Sequence, residues 1–254
     1  MAHLPPYFWR ASTADFGPFA IPAWSRQAAQ GPKYAAPRTS RSPTYGKDSI
    51  LDKSEMLSFL NAIESELPER AVLITCGLPA TGKTWSATLI AERIGYELLR
   101  TDLIRRELFV DEDIFSERLA SSMEKRGQVY EEMFHRAMEL AGKGRGVILD
   151  ATFIKQALRK RAAKIAAQNQ VPFVIVHTTC PEEVSLERIS RRSRENYESN
   201  AITEAAYFNN LRAFEPVDIN DLRDRFPLLK LIYLVVDTSA DQPKKWYILS
   251  KVIQ

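Results

Sequence analysis

This sequence predicts an α/β domain built on a five-stranded parallel sheet with helices on both faces. Three observations predict it. Short apolar runs alternate with segments of helical period along residues 51–254. Most of those runs are continuously apolar, the pattern of strands buried on both faces. A glycine-bearing turn, GLPATGKT, joins the first run to the helical segment after it.

The elements follow in order. LDKSEMLSFLNAIESEL places Met56, Leu60, Ile63 and Leu67 at helical spacing, and Pro68 ends it. AVLITC is the first strand, and a helix over about residues 83–94 follows the glycine turn. YELLR is the second strand, ending at Thr101 and Asp102. A long helix covers about residues 116–141 and stops at the glycines of AGKGRG. GVILD is the third strand and ends at Asp150, and KQALRKRAAKIAAQ is a helix with one basic face. PFVIVHTTC is the fourth strand. PEEVSLERISRRSREN starts as a helix, with Pro181 in its favoured first turn. TEAAYFNNLRAFEP is helical up to Pro216, LLKLIYLVVDT is the fifth strand, and KKWYILSKVIQ is expected to close as a short helix.

Composition excludes several classes. Hydrophobic residues make up 45% and charged residues 26%, an ordinary globular balance. No apolar run approaches the roughly 18 residues that span a bilayer. The opening MAHLPPYFWR lacks the apolar core of a secretory signal, so a cytoplasmic protein is expected. Cys76 and Cys180 each end an apolar run and read as buried free thiols, and His3, His135 and His177 have no metal-ligand spacing.

Net charge is +3, unevenly placed. Residues 1–50 hold six Lys/Arg against Asp15 and Asp48, and seven of the fourteen prolines, which exclude long helices there. Yet Tyr7, Phe8, Trp9, Phe16, Phe19 and Trp24 make this segment rich for a linker. Two readings of this basic, Pro-rich arm stay open. It is an extended arm that packs its aromatics on the domain or a protein partner, or it is a disordered lead-in to a domain spanning residues 51–254.

GLPATGKT, Gly77 to Thr84, matches G-x-x-x-x-G-K-[ST] between a strand and a helix, which is a P-loop. Gly77 and Gly82 let the backbone turn its N–H groups inward, with Pro79, Ala80 and Thr81 between them, and the following helix N-terminus favours a phosphate. Lys83 is placed to reach the β and γ phosphates of ATP, and the Thr84 hydroxyl suits Mg²⁺. The strand ends of a parallel sheet gather at one edge, so Asp102 and Asp150 should converge on this loop. One carboxylate suits the magnesium shell and the other the proton of an attacking hydroxyl. Asp102 also reads as an N-cap for the segment it opens. Arg188, Arg191, Arg192 and Arg194 cluster in SLERISRRSREN, where a closing segment could set guanidinium forks on a transferring phosphate. A solvated basic helix face is the plainer reading of that run.

GLPATGKT, TDLIRREL, GVILDATF and ERISRRS…NAITE, in this order, resemble the P-loop kinases of the AAA_33 type. That type is similar to the polynucleotide 5′-hydroxyl kinase domain and, more distantly, to gluconate kinases, chloramphenicol phosphotransferase and zeta toxins. The resemblance covers about residues 70–237 and implies a lid near residues 185–200. It implies Asp102 as general base and Arg105 on the acceptor or its phosphate. It implies Arg188 and Arg192 on the ATP phosphates, and it leaves Asp150 between magnesium and the acceptor.

An ATP-dependent kinase acting on a hydroxyl is therefore expected. Its acceptor is a small molecule or a nucleic-acid 5′ end. The arm and the basic helix with Lys155, Arg159, Lys160, Arg161 and Lys164 could bind a nucleic-acid backbone. The near-neutral core and a pI of 8.8 incline the reading to a small molecule. The alternative is a nucleotide-hydrolysing regulatory protein that docks a partner through its arm. No GTPase-type Asn-Lys-x-Asp motif supports it.

Overall fold

The computed structural model describes residues 56–110, 123–192 and 203–254. The Pro-rich arm, the first part of the predicted long helix and the end of the predicted lid, including Arg194, lie outside the described residues.

Helix α1 (Phe59–Glu66) starts where the Ser58 hydroxyl accepts from the Asn61 N–H, satisfying one orphan donor of its first turn. Then come β1 (Val72–Cys76), α2 (Lys83–Ile94), β2 (Glu97–Arg100), α3 (Thr101–Leu108) and α4 (Met123–Gly142). After them come β3 (Val147–Asp150), α5 (Gln156–Gln168), β4 (Phe173–Thr179), α6 (Glu182–Ser190), α7 (Glu204–Ala213) and α8 (Ile219–Arg225). The chain ends with β5 (Leu231–Asp237), a 3₁₀ turn (Pro243–Lys245) and β6 (Tyr247–Ile253).

The sheet order is β2-β3-β1-β4-β5-β6. The first five strands are parallel and β6 is antiparallel to β5. The expected five-stranded sheet is thus six-stranded, and the expected closing helix is its sixth strand. YILSKVI is short, β-rich and placed at the end of the chain, where pairing with the open edge of β5 satisfies more backbone than an isolated helical turn would. Trp246, fully buried, anchors its start: the indole N–H donates to the Ala240 carbonyl at 2.6 Å and the ring packs on Phe59.

Strand periodicity of two divides the core. Val72, Ile74, Val147, Leu149, Phe173 and Ile175 face α4 and α5, meeting Met133, Phe134 and Ala163. Leu73, Ile148, Val174, Ile232 and Leu234 face the other way, against Phe59, Ile63, Ile90 and Trp246. Fully burying each large aliphatic side chain contributes about 1.5–3 kcal/mol.

Burial corrects two readings. Cys76 is buried and free as expected, whereas Cys180 is only half-buried, beside Ser185 and Arg188. The basic face of α5 is not an open phosphate track. Arg159 is fully buried, donating to the carbonyls of Phe153, Glu215 and Pro216 at 2.7–2.9 Å. Lys155 pairs with Glu215 at 3.1 Å, Lys160 with Asp221 at 3.2 Å, and Arg161 with Glu131 at 2.6 Å.

Trp246→Ala should lower stability by about 3–5 kcal/mol, the cost of emptying a buried aromatic site. Denaturant unfolding measures it. A loss under about 1 kcal/mol would mean that β6 is not docked through this ring.

Candidate active site

The P-loop leaves β1, the strand between β3 and β4, at the C-terminal edge of the sheet. Backbone conformation there demands glycine twice. Gly77 has φ 141°, and a Cβ on it would lie 2.4 Å from the Thr178 carbonyl oxygen. Gly82, at φ 82°, begins α2 in the left-handed region and adds no side-chain cap, so the first N–H groups of α2 remain donors for an anion. Ala80 also has positive φ, 63°. Its buried side chain packs with Ile189 of α6 and Tyr207 of α7.

The loop holds itself in shape. Thr81 Oγ1 donates to the Leu78 carbonyl at 2.9 Å and meets Thr178 Oγ1 at 2.8 Å. The Gly77 N–H donates to the Thr152 carbonyl at 3.2 Å, tying the loop to the end of β3. Lys83 Nζ donates to the Leu78 carbonyl. Burial lowers the Lys83 pKa to about 8, with the Asp150 charge opposing that shift and Arg192 adding to it.

Asp150 ends β3, buried and fully engaged. Its carboxylate accepts from Thr75 Oγ1 at 2.8 Å and from Thr84 Oγ1 at 2.6 Å, with Arg100 Nε at 3.9 Å. Arg100 is its register partner across the β2–β3 pair. Asp102 lies one step further, inside the first turn of α3. The N-cap of that helix is Arg100, so the expected capping role of Asp102 is replaced by a position within the helix. Burial raises the Asp102 pKa to about 6; Arg105, with Nη1 3.9 Å away, opposes the rise and Asp150 adds to it.

The P-loop, Asp102, Asp150, Arg105, Arg188 and Arg192 all line one cavity of about 460 Å³. Its two ends differ. Towards β2 and β3 it is bounded by Asp102, Arg105, Arg126, Tyr130 and Thr152. Towards the end of β5 it is bounded by Trp85, Arg188 and Asp241. Arg188 turns its guanidinium onto backbone: it donates to the Thr238, Ser239 and Ala240 carbonyls at 2.8–3.3 Å and to that of Ala80 at 3.4 Å. Arg191 pairs with Glu187 one turn back.

Sequence reasoning missed Trp85, Arg126, Tyr130 and Asp241. Trp85 was within reach: it directly follows the P-loop threonine, and it is 48% exposed with its edge on Trp246 at 5.5 Å between ring centres. Arg126 and Tyr130 share one face of α4 at a spacing of four, but nothing local says which face meets the cavity.

A parallel sheet with a P-loop at its central strand, a carboxylate at the end of β3 and another just past the end of β2 defines a kinase-like P-loop NTPase fold. The AAA_33 family, an AAA domain, matches residues 72–217, and the chain belongs to it. An uncharacterized protein of Mycobacterium tuberculosis is 33% identical over 135 residues, 51% of this chain and 27% of that protein. The chain thus spans about a quarter of the length of that relative. The cytidylate kinase of Methanocaldococcus jannaschii is 27% identical over 169 residues, 64% of this chain and 85% of that enzyme. A sugar kinase from Janibacter sp. HTCC2649 shares the fold at a TM-score of 0.52 and 16% identity, over 69% of this chain and 89% of that one.

Gly77→Ala forces a side chain into a strained backbone region and against the Thr178 carbonyl. The strain alone should cost about 1–3 kcal/mol. Thermal unfolding checks it, and an unchanged midpoint would mean that the loop adopts another path.

Proposed function

We propose that this protein is an ATP-dependent kinase that transfers the γ-phosphate to an alcohol hydroxyl of a small molecule. The observation that carries the reading is Asp102. It is a second carboxylate, separate from Asp150, that opens on the same cavity as the P-loop with its pKa brought to about 6. A hydrolytic switch does not require such a group; a kinase requires a base for its acceptor.

In this reading the loop N–H groups from Gly77 to Gly82 and the α2 N-terminus cradle the phosphates, and Lys83 leaves the Leu78 carbonyl to reach them. Arg192, whose charge Lys83 feels, stabilises the transferring group. Arg188 ties α6 to the P-loop and to the β5 end, where the nucleotide base would lie. Magnesium prefers oxygen ligands and keeps several waters. The Thr84 hydroxyl and the Asp150 carboxylate, 2.6 Å apart, are suitable donors for it, partly through water. When bound, the ion would neutralise phosphate charge. Because Asp150 is buried and hydrogen-bonded to Thr84, we assign it to the magnesium shell and not to the acceptor. The ion pairs along α5 favour a small acceptor over a nucleic-acid end, since they neutralise the basic face a backbone would track.

Asp102→Asn should leave the Kd for ATP nearly unchanged while transfer falls by about 10²–10⁴-fold. Labelled γ-phosphate, with a metabolite pool and 5′-hydroxyl oligonucleotides as acceptors, measures it. Label released only as free phosphate would favour the hydrolytic alternative. The sign with pH is fixed. A base works ionised, so kcat/KM should rise with pH through about 6 and level off above it. A profile flat from pH 5 to 7 would remove Asp102 from the role.

A further inference from the structure

We propose that Ile189 of α6 and Tyr207 of α7 are positioning residues for the nucleotide: they clamp the Ala80 side chain and so hold the P-loop in its phosphate-receiving form. This rests on the kinase reading only in that the P-loop takes the triphosphate of ATP.

The need for a clamp is local. Leu78, Pro79, Ala80 and Thr81 form a β-turn, closed by the Thr81 N–H on the Leu78 carbonyl at 3.5 Å. Proline at its second position and positive φ at its third, 63° at Ala80, make it the type II form. That third position favours glycine, because an L side chain there crowds the backbone. Alanine in the left-handed region is disfavoured by a factor of about 5–30. Contacts from outside the turn must hold it there.

Among the described residues, two other non-glycine residues have positive φ. Gln170 lies in an exposed turn, and Phe153 is held through its carbonyl by buried Arg159 at 2.8 Å. Ala80 is held by packing. Its side chain, Ile189 and Tyr207 are all buried and form a cluster of their own, apart from the two cores on the sheet faces. Leu78 of the same turn, Leu186 and Phe208 pack around it. The Ala80 carbonyl also accepts from Arg188 Nη1 at 3.4 Å, so α6 grips both the side chain and the backbone of one residue. The Tyr207 hydroxyl is hydrogen-bonded to Ser185, which fixes α7 to α6 behind the contact.

Release would change what the loop offers an anion. A type II turn relaxes to type I by turning its central peptide, a change of about 150° in ψ at the second position. In this turn that peptide joins Pro79 to Ala80. Turning it over would take the Ala80 N–H away from the phosphate of the proposed reaction and bring the Pro79 carbonyl towards it. The coupling is reciprocal: nucleotide on the loop steadies α6, which carries Arg188 and leads into Arg192.

The test titrates Mg·AMP-PNP into the full chain by calorimetry, as a double-mutant cycle. Tyr207→Ala should weaken binding about 5–30-fold, the preference that the clamp overrides. In the Ala80→Gly background, where positive φ carries no Cβ penalty, the same substitution should change the Kd by less than about twofold. A residue that merely supports the fold would cost the same affinity in both backgrounds. Circular dichroism verifies that each variant is folded at the titration temperature; if Tyr207→Ala is not, Ile189→Ala replaces it with the same two outcomes expected. Binding by Tyr207→Ala within about twofold of wild type overturns the inference. So does an equal loss in both backgrounds. Phosphate transfer is measured separately, so the kinase reading can fail alone; wild type that does not bind Mg·AMP-PNP overturns both.

Discussion

Asp150 is the charge around which this site is built. A carboxylate taken out of water must be hydrogen-bonded or it destabilises the fold. Here the side chain, 5% exposed, accepts from Thr75 within β1 and from Thr84 in the first turn of α2, and it faces Arg100 at the end of β2. One group thereby fixes three strand ends and the start of a helix. It sets the height at which β2, β3 and β1 stop, and it orients the Thr84 hydroxyl before any ligand arrives. Thr75 does double duty, since its Oγ1 also accepts from the Ala151 N–H and so directs the chain out of β3.

A second buried charge supports the same loop from behind. Phe153 has φ 43°, an unfavourable conformation for a bulky residue. Arg159 donates to its carbonyl at 2.8 Å and spends its other N–H groups on the Glu215 and Pro216 carbonyls and the Gln156 side chain. Its guanidinium also lies 5.1 Å from the Phe214 ring centre. The start of α5, the turn after β3 and the segment after α7 are thus held at one point. A residue that reads as part of a nucleic-acid surface is instead what holds Thr152 where it meets the Gly77 N–H.

What was legible in the sequence was whatever the chain encodes locally. The P-loop, Asp102 and Asp150 each sit at a strand end marked by an apolar run, and parallel pairing then brings those ends to one edge. Features that depend on which face of a helix meets what were not legible. Arg126 and Tyr130 share α4 with Lys125 and His135, and only packing of that helix on the sheet selects the pair. Arg159 and Lys160 differ by one position on α5, yet one is buried and the other pairs with Asp221 at the surface. YILSKVI carries both a plausible helix period and strand propensity, and the open edge of β5 decided between them. Helix α8 was missed because seven residues give too little period; its signal was the Asp218 side chain, which accepts from the Asp221 N–H at 2.9 Å.

Sheet order also explains why the cavity has two chemically different ends. With β1 central, everything past β3 and β2 lies to one side of the P-loop and everything past β5 to the other. The β5 side offers an exposed indole and backbone carbonyls already engaged by Arg188, a surface suited to a flat, neutral ring. The β2 side offers a carboxylate and two arginines. In the proposed reaction burial raises the Asp102 pKa to about 6, with Arg105 opposing the rise, so that this carboxylate is set apart as the proton acceptor while Asp150 stays engaged by Thr75 and Thr84.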